Sequence, residues 1–133
     1  MKTIKFLEVQ KRPLGVQELN EILNVSNPSV TERKERSWTL GWGILSVTIK
    51  IVLFFYYDAS GNVDHVDASF YVNDSQIYGP TKISKNMPSI DYDFDIHVVS
   101  GDIHLILNLK DENVQFKAHV HTPFKDFDIN VVL

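Results

Sequence analysis

Four histidines stand in the C-terminal third of the chain, at positions where polar residues alternate with apolar ones. They are His97, His104, His119 and His121. Alternation of this kind is typical of strands with one buried face, and His119 and His121 would share the polar face of one strand. Imidazoles from neighbouring strands, with a fourth position left open, are the ligands that a zinc ion uses on a sheet. The four histidines are therefore candidate metal ligands.

The turns between the strands predict how these histidines face one another. A two-residue turn at Ser100-Gly101 would place His97 opposite His104, and one at Asp111-Glu112 would place His104 opposite His119. Opposed residues have Cβ atoms about 4.5–5.5 Å apart, which is close enough to share an ion.

The same pattern has two simpler interpretations. One is the ordinary solvated face of an antiparallel sheet, and the other is a polar ligand pocket without metal. If a metal does bind, Asp102 or Asp126 could orient an imidazole from behind it.

A second candidate site is aromatic. The predicted hairpin turn at 58–62 pairs Tyr56 with His65 and Lys50 with Tyr71, so aromatic rings lie beside polar groups on one face of the sheet. Such a surface suits a sugar, a lipid head group or another protein. In the alternative interpretation, an N-terminal helix covers this face. The candidate ligand-binding residues are Trp42, Tyr56, Tyr71 and Tyr78.

The elements that must position both sets are strands. The stretch Gly43–Tyr57 has the strongest strand signal, because β-branched and aromatic residues dominate it. Further strands are predicted at Val63–Val72, Gln76–Tyr78, Thr81–Ser84, Asp91–Val99, Asp102–Leu109, Val114–His121 and Phe124–Leu133. This spacing predicts an all-β fold, either a meander barrel or a two-sheet sandwich.

The first 36 residues differ from the rest. They contain a possible strand at Thr3–Val9, a short amphipathic helix at Val16–Leu23 and a mixed charge run at Val30–Ser37 that is typical of a solvated linker. We expect one domain over residues 1–133, with the antiparallel body at 37–133.

Composition narrows the possible functions. The 133 residues include no cysteine and carry a formal net charge of −4, which argues against thiolate chemistry and against nucleic acid as a partner. No signal peptide is recognisable, and the apolar run at 44–57 is too short for a membrane-spanning helix. We therefore expect a soluble, cytoplasmic protein, with later release left open.

Known catalytic motifs are missing: there is no Gly-rich phosphate loop, no G-x-S-x-G and no H-E-x-x-H. The sequence favours a non-enzymatic binding or interaction module that self-associates as a homo-oligomer. One alternative is a zinc-binding protein or hydrolase that uses the histidines. The other is a carrier with a small apolar ligand inside the strands.

Overall fold

A computed structural model describes residues 30–133, which form two four-stranded antiparallel sheets. In each sheet, strands that follow one another in sequence lie side by side. Sheet 1 contains β1 (Val30–Leu40), β2 (Val47–Tyr57), β3 (Val63–Val72) and β4 (Ser75–Ser84). Sheet 2 contains β5 (Ser89–Ile96), β6 (Val99–Asn108), β7 (Asn113–His121) and β8 (Asp126–Val132).

The inner faces of the two sheets pack into one apolar core. Alternate residues of β2, such as Ile49, Ile51 and Leu53, are fully buried, because period-2 alternation directs them to the same face. Phe70 of β3 contacts the rings of Phe94 and Phe116 in sheet 2. Each sheet therefore covers the apolar face of the other, as in a two-layer sandwich.

The two ends of the sandwich can be told apart by their connections. Trp42, in the β1–β2 connection, stacks on Phe124 of the β7–β8 connection at 5.5 Å, and we call this the tryptophan end. At the opposite end, the backbone N–H of Val63 donates to Glu112 Oε2 at 3.3 Å, and we call this the glutamate end. Because the strands are antiparallel, the β3–β4 and β5–β6 turns also lie at the tryptophan end.

The all-β prediction is confirmed in its sandwich form: the eight described strands form two sheets rather than one closed barrel. Residues 30–133 contain a three-residue 3₁₀ turn at Gly43–Leu45 and no α-helix. The predicted strand Thr3–Val9 and helix Val16–Leu23 lie outside the described residues. The single-domain prediction for 1–133 stays a prediction. In the part that the structure describes, no helix is long and apolar enough to cross a membrane.

The interpretation of Val30–Ser37 as a linker is wrong, because this segment is most of edge strand β1. Its charges lie on both faces of the strand. Tyr57 Oη donates to Glu32 at 2.7 Å, and Lys34 Nζ lies 4.7 Å from the centroid of the Phe55 ring. Long side chains of this type cover apolar surface with their stems, so a charge run can form an edge strand.

Three predicted turns are also corrected. The β5–β6 turn is His97-Val98 instead of Ser100-Gly101, since Ile96 pairs with Val99. The β6–β7 connection has four residues, 109–112, instead of the predicted two. The β7–β8 connection also has four, 122–125, where the predicted strands left the two-residue turn Thr122-Pro123. Gly101 lies inside β6, where a Cβ atom would come within 1.9 Å of the His119 carbonyl oxygen. The glycine is needed there for close backbone approach, and the sequence pattern made it resemble a turn.

Candidate functional site

The outer face of sheet 2 carries a group of aspartate and histidine side chains. Apolar side chains of β5–β8 turn inward, so the residues between them turn outward. Antiparallel pairing then sets them in rows across the sheet. The row Asp93–Asp102–His119–Asp128 lies beside the row Asp91–His104–Lys117–Asn130 and the row Asp95–Ser100–His121–Asp126.

His119, His121 and Asp126 form a compact group on the β7–β8 hairpin. One ligand atom of each residue lies within 4.8 Å of those of the other two. His121 Nδ1 donates to Asp126 Oδ1 at 2.8 Å, and His119 Nε2 lies 3.9 Å from Asp126 Oδ2. Two ligands on a tetrahedral zinc ion, at bonds of about 2.1 Å, are about 3.4 Å apart. The observed distances lie on either side of that spacing.

Asp128 holds the ring of His119 from the other side. His119 Nδ1 is 2.5 Å from Asp128 Oδ1, its cross-strand neighbour on β8. A proton on Nδ1 leaves the lone pair on Nε2, the nitrogen on the side of Asp126. A carboxylate behind a ligating imidazole fixes both the tautomer and the ring orientation. Asp128 therefore prepares His119 to bind a cation through Nε2.

A separate group is centred on His104 of β6. Its Nδ1 is 2.5 Å from Asp91 Oδ1, and its Nε2 is 2.6 Å from Asp102 Oδ2. Carboxylates only accept hydrogen bonds, so an imidazole that donates to both must carry two protons. The hydrogen bonds to Asp91 and then to Asp102 raise the pKa of His104. Both ring nitrogens thus face carboxylates, an arrangement that favours the protonated imidazole.

The whole face has an excess of negative charge. Lys117 is the one lysine or arginine among the outward residues of β5–β8. It lies with His104 and His119 beside a shallow depression whose floor includes Ala118 and Ile129. The outward aspartates are Asp91, Asp93, Asp95, Asp102, Asp126 and Asp128. Such a face attracts cations and repels anions.

The four predicted histidine ligands do not form one row. His97 is in the β5–β6 turn, with φ of 71°, so it does not lie opposite His104. His104 pairs with Asp91 and Lys117, and His119 pairs with Asp102 instead of His104. The predicted registers were wrong because both turns were misplaced. The structure brings together His119 and His121, whose rings are 4.8 Å apart.

The sequence interpretation missed three carboxylates. Asp91 and Asp128 were not identified as partners of histidines, and Asp126 was expected behind a ligand rather than between two of them. The correct register of the β7–β8 hairpin is the signal that would have found Asp126 and Asp128. Asp102 was predicted to orient an imidazole, and it contacts His104.

The four aromatic candidates lie in three separate places. Tyr56 stacks on His65 at 4.4 Å and Tyr71 lies under the Lys50 ammonium group, both on the outer face of sheet 1. The predicted pairings Tyr56–His65 and Lys50–Tyr71 are confirmed. Tyr78 stacks on Tyr92 between the sheets, and Trp42 is at the tryptophan end. The four residues therefore do not form a single face, and their role in ligand binding stays a prediction.

Comparisons of the chain with family models, with curated proteins and with solved structures give no match. Any functional inference must therefore be drawn from the geometry of the site.

Proposed function

We propose that this protein is a non-enzymatic binding module that binds a divalent transition-metal ion on the outer face of sheet 2. The observation that carries the proposal is the convergence of His119, His121 and Asp126. Two imidazoles and a carboxylate each offer a ligand atom within 4.8 Å of those of the other two. The excess of aspartates on the same face supports it, since they raise the local concentration of cations.

The ligand types narrow the choice of metal. With no cysteine in the chain, soft thiolate sites are excluded. Two nitrogen ligands make the site a poor one for calcium and magnesium, which prefer oxygen. Imidazole with carboxylate suits zinc, and also cobalt, nickel and copper in the divalent state. Zinc is the cation we propose, because two imidazoles and a carboxylate with an open fourth position are a ligand set that zinc commonly uses.

The site binds rather than encloses its ion. The side chains of His119, His121 and Asp126 are 45%, 48% and 58% exposed, so solvent reaches the remaining coordination positions. An open position is also found in zinc hydrolases, where it holds the attacking water. Here the three ligands lie on an exposed sheet face and the chain contains none of the catalytic motifs considered above, so we favour binding over catalysis.

The test is calorimetric titration of the chelator-treated, untagged protein with zinc. We expect one ion per chain in the native protein, and a loss of affinity of at least about tenfold in His119→Ala and in His121→Ala. Asp128→Asn should weaken binding by about tenfold, because it orients His119 without being a ligand.

Two controls separate the site from histidine content in general. His104→Gln removes a histidine of the same face, and His65→Gln removes one that lies 2.8 Å from Asp64 on sheet 1. Both variants should bind zinc as the native protein does. Native binding that is absent, or that is reduced equally by all four histidine substitutions, would contradict the proposal.

A further inference from the structure

Large apolar side chains are exposed at the tryptophan end of the sandwich. The β1–β2 connection presents Trp42, which is 69% exposed, then Ile44, which is 100% exposed, and Leu45, which is 53% exposed. Val98, in the β5–β6 turn at the same end, is 67% exposed. Single exposed apolar residues are common on proteins, whereas several in the connections at one end of a sandwich form a candidate contact surface. We call Trp42, Ile44, Leu45 and Val98 the apolar tip.

The local backbone holds this tip outward. Gly41 and Gly43 adopt φ of 84° and 64°. The 3₁₀ turn Gly43–Leu45 follows and ends at Ser46. A Cβ atom at Gly41 would come within 3.3 Å of the Phe124 ring, so the connection sits tightly on the β7–β8 turn. The exposure of Ile44 is therefore a consequence of a defined turn.

The glutamate end has a different character. Its connections are 58–62, 85–88 and 109–112, with sequences DASGN, KNMP and LKDE, in which the large apolar residues are Met87, 55% exposed, and Leu109, 38% exposed. Strand β1 also begins there, since Val30 pairs with Tyr57 at the far end of β1 from the tip. Eleven strand residues, about 36 Å, separate the start of β1 from its end. Strand β1 thus runs from the glutamate end to the apolar tip at the tryptophan end.

We infer that the apolar tip inserts into the interface of a lipid bilayer. One tryptophan and three aliphatic side chains, all exposed in connections at one end of the sandwich, suit a lipid surface, which needs no complementary shape. Tryptophan favours the membrane–water boundary, where its ring is apolar and its N–H stays wet. A stable dimer buries about 800 Å² on each partner, more than four side chains supply, which makes a second copy the weaker fit.

The charges around the tip indicate which lipids it would meet. Lys125 and Asp74 lie in two turns of this end, and Asp95 and Asp126 of the acidic face lie at the strand ends beside them, so the tip has no surrounding excess of basic residues. Insertion would therefore be driven by apolar burial rather than by anionic head groups, and zwitterionic phosphatidylcholine should suffice.

The experiment uses the full chain with Trp38→Phe, so that Trp42 is its one tryptophan, and phosphatidylcholine vesicles in the presence of a chelator. With no substitution in the apolar tip, we expect the added vesicles to shift Trp42 emission to shorter wavelength and to protect Trp42 from quenching by iodide. Binding should be insensitive to 0.1 versus about 0.5 M salt, since apolar burial is not screened. Protection from iodide before any vesicle is added would overturn the inference, because the tip would already be covered.

Ile44→Ser is the decisive variant, since a fully exposed side chain can be changed without loss of folding. It should weaken vesicle binding by about tenfold at an unchanged unfolding temperature. Met87→Ser is the matched control: Met87 is 55% exposed, in the β4–β5 connection at the glutamate end, and the variant should bind as before. Equal effects of the two substitutions on vesicle binding would overturn the inference. It would also be overturned if the native protein bound no vesicles and was an oligomer that Ile44→Ser converted to a monomer.

Discussion

The outer faces of the two sheets have the same alternating architecture and different chemistry. On sheet 1, cations cover aromatic rings: Arg33 lies 5.9 Å from the centroid of Phe54, and Lys50 lies 4.6 Å from that of Tyr71. On sheet 2, six aspartates share the face with Lys117 and three histidines. The first face has its charges paired with rings of the protein itself, whereas the second leaves an excess of carboxylates.

This difference is the reason why we propose the ligand site on sheet 2 and not on sheet 1. His65 on sheet 1 contacts one carboxylate, Asp64, and its ring is stacked against Tyr56. His119 on sheet 2 has Asp128 at one nitrogen and Asp126 toward the other, with His121 beside it. A histidine becomes a metal ligand when neighbours of the right type converge on its free nitrogen. The presence of a His–Asp pair alone is insufficient.

The largest expected loss of stability comes from Gly101→Ala, which disturbs the pairing of β6 and β7 next to the proposed metal site. The new methyl group would lie 1.9 Å from the His119 carbonyl oxygen, so β6 and β7 must separate. We expect a loss of about 3 kcal/mol in the free energy of unfolding, measured by urea denaturation. Zinc affinity should fall as well, because His119 moves with its backbone.

Gly61→Ala is the matched change in the β2–β3 turn of sheet 1. It has nothing within 4 Å of the added Cβ atom and a φ of 85°, so only the left-handed backbone is penalised, by about 1 kcal/mol. Equal losses in the two variants would show that close approach of β6 and β7 is unimportant.

An intermediate effect is expected from pH, through His104. The hydrogen bonds to Asp91 and Asp102 raise its folded pKa above the ordinary value of about 6.5, while Lys117 lies opposite it on β7. A raised pKa adds stability that is complete below about pH 6.5 and is lost as the pH rises through the folded value. Because the side chain is 39% exposed, solvent screening limits this term to within about 1 kcal/mol.

Thermal unfolding of the metal-free protein at pH 5.5 and pH 9 measures this term. The difference between native protein and His104→Gln should be larger at pH 5.5 and should shrink by pH 9. A difference that is constant with pH would mean that His104 is not held as a cation. The matched substitution on sheet 1 is His65→Gln, since His65 contacts one carboxylate, Asp64, where His104 contacts two.

How much of this could be predicted depends on the turns. The register of β2 and β3 was correct because the 58–62 turn has clear local signals: Asp58 Oδ1 accepts from the backbone N–H groups of Ser60 and Asn62, and Gly61 takes a positive φ. The β5–β6 turn has no such signals. Its first residue, His97, takes φ of 71°, a conformation that Gly or Asn adopts more readily.

The error in register did not change which face of the sheet each residue was predicted to occupy. It did change which residues were predicted to be cross-strand neighbours, and so the predicted metal site. Moving the β5–β6 turn from Ser100-Gly101 to His97-Val98 shifts the pairing by an even number of residues, so inward and outward positions were predicted correctly. Cross-strand neighbours were not, and His104 met Asp91 instead of His97. Alternation in a sequence predicts which residues share a face, whereas a metal site depends on which residues are opposite.

The smallest expected effect is on sheet 1, where Lys50→Met keeps the stem of the side chain and removes the charge above Tyr71. The Lys50 side chain is partly buried, and its Nζ also lies 4.0 Å from Asp74 Oδ1, so unfolding by urea should show a loss of about 0.5–1 kcal/mol. Lys82→Met, at an exposed lysine opposite Asp67 on the same face, should cost less. Neither change should alter zinc affinity, because both lysines lie on the sheet opposite to His119. If Lys50→Met strengthened zinc binding, the two faces would be coupled through the core, and the independence of the metal site from sheet 1 would have to be abandoned.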